Sequence, residues 1–119
     1  MKTNSQPGPF TDEALAQAMD GLWARFLPDI KERVAVLEAA AQAAAEGKLT
    51  AKQREAGQSA AHKLAGVLGT FGLTRGTVLA RELELTFAPG SSPGRDASAK
   101  LAEAARELRS IVESRKPSA

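Results

Sequence analysis

The stretch AKQREAGQSAAHKLAGVLGTFG, residues 51–72, has the apolar spacing of one helix and more glycine than an ordinary helix carries. Thr50 precedes it as an N-cap, whose hydroxyl can accept from a free N–H of the first turn. Phe71-Gly72 ends it, with Gly72 suited to the left-handed backbone that closes a helix. A helix over 51–71 then contains Gly57, Gly66 and Gly69. Each interior glycine costs about 1 kcal/mol relative to alanine, in a chain that otherwise uses 24 alanines. Helical geometry at 100° per residue shows where the glycines go. With His62 at 0°, Gly69 falls at about −20°, Glu55 at about +20°, Gly66 at about +40°, Gln58 at about −40° and Ala65 at about −60°. Ala60, Ala61, Leu64, Leu68 and Phe71 gather on the opposite side, between about 160° and about 260°. His62 is thus centred on the outward face, beside residues with almost no side chain, where a large partner could come close. Gly57, at about 220°, lies on the core side and suits close helix packing. An incidental surface histidine would occupy the same position.

Outward from this helix the chain is helical throughout. Toward the N-terminus, Leu15, Met19, Leu22, Phe26, Ile30, Val34, Leu37, Ala41 and Ala44 recur at steps of three or four, the period of an amphipathic helix. Thr11 is its expected N-cap, Asp12 and Glu13 favour its first turn, and Gly47 closes it. Pro28 interrupts the stripe without shifting its phase, so either one kinked helix or two nearly collinear ones, 12–27 and 28–46, are expected. Toward the C-terminus, Thr74 is the expected cap of a short helix over 75–87, with Val78, Leu79, Leu83 and Phe87 at or near its inner face. Residues 88–94 form a loop by their turn residues. Asp96 is the expected cap of a last helix to Ser114, with Leu101, Ala105, Leu108 and Val112 inward. The expected fold is an all-α antiparallel four-helix bundle with an N-terminal helical extension. Residues 1–10 read as a disordered leader, 11–115 as the bundle and 116–119 as a frayed tail.

Composition narrows the function. The 119 residues are one domain's worth, with no cysteine, one histidine and no tyrosine, which excludes disulfides and thiolate metal sites and leaves little for a multi-histidine zinc site. Valine, isoleucine and threonine total only 14, consistent with helix over strand. No signal peptide or membrane-spanning run is visible, and a cytoplasmic protein is expected. The net charge of +2 is too small to favour nucleic acid. Charge is nevertheless uneven. Residues 47–81 carry Lys48, Lys52, Arg54, Lys63, Arg75 and Arg81 against Glu55 alone. Such a segment is either a solvated basic face or one that meets an acidic partner or a phosphoryl group.

The run His62, Leu64, Gly66, Gly69, Phe71 and Gly72, followed by Leu83-Glu84 on the next short helix, resembles the signature of histidine-containing phosphotransfer (HPt) domains. The signature spans Ala61 to Glu84, and the flanking helices fit the family over roughly residues 11–114. The resemblance implies a bundle whose exposed histidine carries a phosphoryl group between receiver-domain aspartates in a multistep phosphorelay. It makes His62 the phosphoacceptor, with Lys63 and Glu84 as supporting residues and Gln58, Ala65, Gly66 and Gly69 as the receiver docking surface. Glu84 matches an acidic position that, in chemotaxis-kinase members, accepts from the imidazole Nδ1–H; a helix-capping or salt-bridge role is the alternative. Position 65, often lysine in the family, is alanine here. The implied partners are response-regulator receiver domains and a hybrid histidine kinase, met by a monomer. The implied chain needs no intrinsic cofactor or metal, the Mg²⁺ belonging to the receiver.

Three other readings compete. The phosphoacceptor domain of a histidine kinase usually has an acidic residue after its histidine and a proline about five residues on. This chain has Lys63 and Val67 and no glycine-rich ATP-binding segment, so it is expected to be no enzyme and to lack autokinase activity. A pseudo-HPt module would dock a receiver or another partner without phosphorylation. A nucleic-acid-binding bundle has only the local basic excess in its favour.

Overall fold

The computed structural model describes residues 11–91, 93 and 95–116. The leader expected at 1–10, loop residues Ser92 and Gly94, and the tail from 117 onward lie outside the described residues. Within them are four helices: α1 Asp12–Ala45, α2 Ala51–Thr70, α3 Thr74–Thr86 and α4 Arg95–Ser114. α1 packs on α2 and α4, and α3 packs on the same two, so the helices form a ring of four around one core.

The ends follow local chemistry. Thr11 Oγ1 accepts from Ala14 N at 3.1 Å. Thr50 and Gln53 form a reciprocal capping box at the start of α2. α1 and α2 both close in the same way. Lys48 N donates to Ala43 O and Gly47 N to Ala44 O; Leu73 N donates to Leu68 O and Gly72 N to Gly69 O. Gly47 and Gly72 each have φ of 70°, the left-handed backbone this double bond requires and that glycine adopts without strain.

Two expected caps lie elsewhere. α3 begins at Thr74 itself, with Leu73 as its N-cap and no side-chain bond there. Leu73 N is already engaged in closing α2 and Leu73 O accepts from Thr77 N, so the two helices share one residue and no room is left for a hydroxyl cap. α4 begins at Arg95, which puts Asp96 inside the first turn instead of ahead of it.

α1 runs unbroken through Pro28. The ring is on the exposed side, where water can satisfy the carbonyl that loses its donor, while Trp23 and Ile30 on either side are buried. The expected stripe is corrected at its start: Leu15 is 54% exposed, Leu22 37% and Phe26 39%. α1 has 34 residues and α2 and α4 have 20 each, so at 1.5 Å per residue it outruns its neighbours by about 20 Å. Its first turns extend past the other described helices. The last core layer at that end is Trp23 instead, edge-on to Phe71 with ring centroids 5.1 Å apart. Arg115 lies over both rings and pairs with Asp20 at 3.2 Å. Val78, expected at or near the inner face of α3, is also exposed.

The core is built from few large side chains and many small ones. Ile30, Leu37, Leu64, Leu68, Leu83, Phe87 and Leu108 are fully buried, and Ala40, Ala41, Ala60, Ala61, Ala65, Ala80 and Ala105 fill between them. Two glycines mark the closest approaches. A Cβ on Gly57 would sit 3.2 Å from the Phe87 ring and 3.3 Å from Ala40 Cβ; one on Gly76 would sit 2.9 Å from Leu68 Cδ1. Across α1 and α4, the Arg109 guanidinium grips Glu38 with bonds of 2.6 and 2.7 Å and also reaches Glu113. That grip holds the Glu38 carboxyl below its ordinary range. Its share of stability is therefore present at neutral pH and lost as pH falls below the ordinary carboxylate range.

Gly57→Val would force three carbons against Phe87 and Ala40. The expected loss is about 1–3 kcal/mol, read as a lower midpoint in thermal unfolding followed by circular dichroism.

Candidate functional site

The site is assembled where α3 lies against α2. α2 runs through the bundle with Ala61, Leu64, Ala65 and Leu68 buried and His62 facing out, its side chain 68% exposed. The Gly72 turn folds the chain back at once, and α3 returns antiparallel. Thr77 Oγ1 reaches Ala65 O at 3.5 Å. Two turns on, Glu84 Oε2 lies 2.8 Å from His62 Nδ1. An ionised carboxylate cannot donate, so Nδ1 donates in this bond, and in the neutral ring Nε2 keeps its lone pair. No described residue bonds to Nε2. The imidazole is thus fixed by one nitrogen and offers the other as a nucleophile.

The surroundings of His62 are open. A Cβ on Gly66 would meet nothing within 4 Å, and one on Gly69 would meet only Thr77 Oγ1 at 3.5 Å, an ordinary contact. Neither glycine is required by the packing of this bundle, in contrast to Gly57 and Gly76. Lys63 is exposed, about 100° round the helix from His62, and forms no ion pair with another described residue. Gln58 is half-buried on the α3 side.

One expected docking residue is corrected. Ala65 is 1% exposed, because α3 covers that flank of α2 and Thr77 sits over it. It belongs to the core and cannot meet a partner. Of the other expected residues, the fold brings His62, Glu84, Gly66, Gly69 and Gln58 together around one ring. Other α3 residues, not assigned to the site from the sequence, are tied to it or exposed. Arg81 Nη1 lies 3.7 Å from Glu84 Oε1. Val78 and Leu85 on α3 are 43% and 75% exposed. The spacing of Arg81 and Glu84, three apart on one helix, was the available signal for the first. Exposed apolar residues carry no such signal, since periodicity alone assigns them to a core.

The family model described as Hpt domain matches residues 21–115. The chain belongs to the Hpt domain family. A stretch of 62 residues, 52% of this chain, is 39% identical to Protein RcaC of Microchaete diplosiphon, of which it covers 10%. No solved structure matches significantly. Membership in this family supports a phosphorelay role for the domain. Among the described residues no helix is long and apolar enough to cross a membrane.

Because Gly66 has open space around it, Gly66→Ala should stabilise the fold by about 1 kcal/mol through helix propensity. The expected result is a rise of several degrees in the thermal midpoint, opposite in sign to that of Gly57→Val.

Proposed function

We propose that this Hpt domain is a phosphocarrier whose His62 takes a phosphoryl group from one receiver aspartate and gives it to another. The reading rests on one observation: an exposed imidazole held at Nδ1 by Glu84, with clear space over Gly66 on the same face. Nε2 attacks the phosphorus of the aspartyl phosphate, the phosphorus–oxygen bond breaks, and its electron pair leaves with the receiver's carboxylate. The Nδ1 proton stays in the bond to Glu84, which offsets the positive charge the ring acquires. Transfer to the next receiver reverses these events. Such chemistry asks for in-line positioning and charge neutralisation and little else from the carrier.

Each residue then has a part. Glu84 fixes ring orientation. Gly66 and Gly69 let the receiver's phosphoryl phosphorus approach Nε2 to about 3–3.5 Å. Gln58 borders the docking face, and Lys63 adds positive charge beside it. The carrier acts as a cytoplasmic monomer, served by receiver domains and a hybrid histidine kinase. It has no autokinase activity and no cofactor of its own, and the Mg²⁺ is held by the receiver.

The test is transfer from a radiolabelled phosphorylated receiver to the wild type and to His62→Gln. Label should move to the wild type alone and should survive base but not acid. Equal labelling of His62→Gln would overturn the reading, and binding of a receiver without any transfer would make the domain a docking module. Gly66→Gln should keep the helical circular-dichroism spectrum and lower the transfer rate by at least about 10-fold, since its side chain would occupy the approach path.

A further inference from the structure

Glu84 has two partners, and only one of them is the histidine. Its Oε2 faces His62 Nδ1 at 2.8 Å and its Oε1 faces Arg81 Nη1 at 3.7 Å. The Glu84 side chain is 24% exposed, whereas His62 and Arg81 are 68% and 60% exposed. The carboxylate is therefore held between two groups that both reach solvent. With a neutral ring, the carboxylate and guanidinium charges cancel. A phosphoryl group on Nε2 adds roughly two negative charges, one imidazole ring away from the carboxylate. Without the guanidinium, that group would sit beside an uncompensated like charge.

Few other groups can offset it. On α2, Glu55 shares the face of His62 and has the wrong sign. Lys63 lies on the flank away from α3. Position 65, on the flank toward α3, holds an alanine buried beneath Thr77, where a charged side chain would have no route to the ring. From α3, Glu84 and Arg81 are the charged residues tied to the site. We propose that Arg81 is a positioning residue for phosphoryl transfer. It anchors the second oxygen of Glu84, so the first stays aimed at Nδ1, and it keeps a positive charge beside the carboxylate when the ring carries phosphate. This inference rests on the carrier reading of His62.

The test compares wild type, Arg81→Gln and Arg81→Lys, all checked for unchanged helical circular dichroism. His62 is the single histidine of the chain, so its ring proton signals can be titrated directly by NMR on the unphosphorylated protein. Each protein is then treated with phosphoramidate, a direct phosphoryl donor to imidazole, and phosphohistidine is followed by phosphorus NMR. Loss of a nearby positive charge favours the protonated ring. The His62 midpoint should therefore rise by about 0.2–0.5 of a pH unit in Arg81→Gln and return to the wild-type value in Arg81→Lys. Phosphohistidine should form about 2- to 5-fold more slowly in Arg81→Gln and at the wild-type rate in Arg81→Lys. An unshifted midpoint in Arg81→Gln, or an equal shift in both variants, would overturn the inference. So would a shifted midpoint with unchanged phosphorylation, because the charge would reach the ring without serving transfer. Failure of the wild type to form phosphohistidine would instead strike at the carrier reading, while the titration still decides whether the Arg81 charge acts on His62.

Discussion

The pressure of α3 on α2 is the constraint on which the site depends. Leu68 of α2 fills the space that a side chain at position 76 would need, and Thr77 lies over Ala65. The Gly72 turn leaves only Phe71, Gly72 and Leu73 between the two helices. With both the turn and the contact fixed, the register of α3 along α2 has no freedom. Glu84 must then arrive opposite His62. A larger residue at position 65 or 76 would push α3 outward and break the bond between carboxylate and imidazole without touching either residue.

Glycine is used in two opposite ways. At positions 57 and 76 it admits a neighbouring helix, and the packing around it is tight. At position 66 it admits nothing from this chain. The first kind trades helix propensity for helix contact, which is a stability argument complete within one molecule. The second kind lowers propensity with no internal return, so its reason lies in what approaches from outside. The distinction follows from the same angular placement that sets His62 on the outward face.

That placement is why much of the site was legible in the sequence. Helical period alone separates His62 from Leu64 and Leu68, and Thr50, Gly47 and Gly72 mark ends by chemistry that acts within a few residues. What was misread depends on distant contacts. Ala65 sits at the edge of the outward arc, and only the position of α3 decides that it is covered. Leu15, Leu22 and Phe26 keep the period of a buried stripe, but the bundle is shorter than α1, and a periodic pattern does not record how far its partners extend. Thr74 has the right side chain for a cap, yet Leu73 already serves both helices. The meeting of Glu84 with Nδ1 needed a family resemblance to be foreseen at all, because a separation of 22 residues across a turn leaves no local trace.

The alanine-lined interior has a thermal consequence. Alanine brings helix axes close but contributes little hydrocarbon to the water-exposed surface of the unfolded chain. The heat capacity of unfolding scales with that newly hydrated apolar surface. A bundle filled by Ala40, Ala41, Ala60, Ala61, Ala65, Ala80 and Ala105 therefore has a smaller heat-capacity increment than a leucine-filled one of equal length. Its free energy of folding bends less with temperature, so the balance between folded and unfolded chain changes gently from cold to warm.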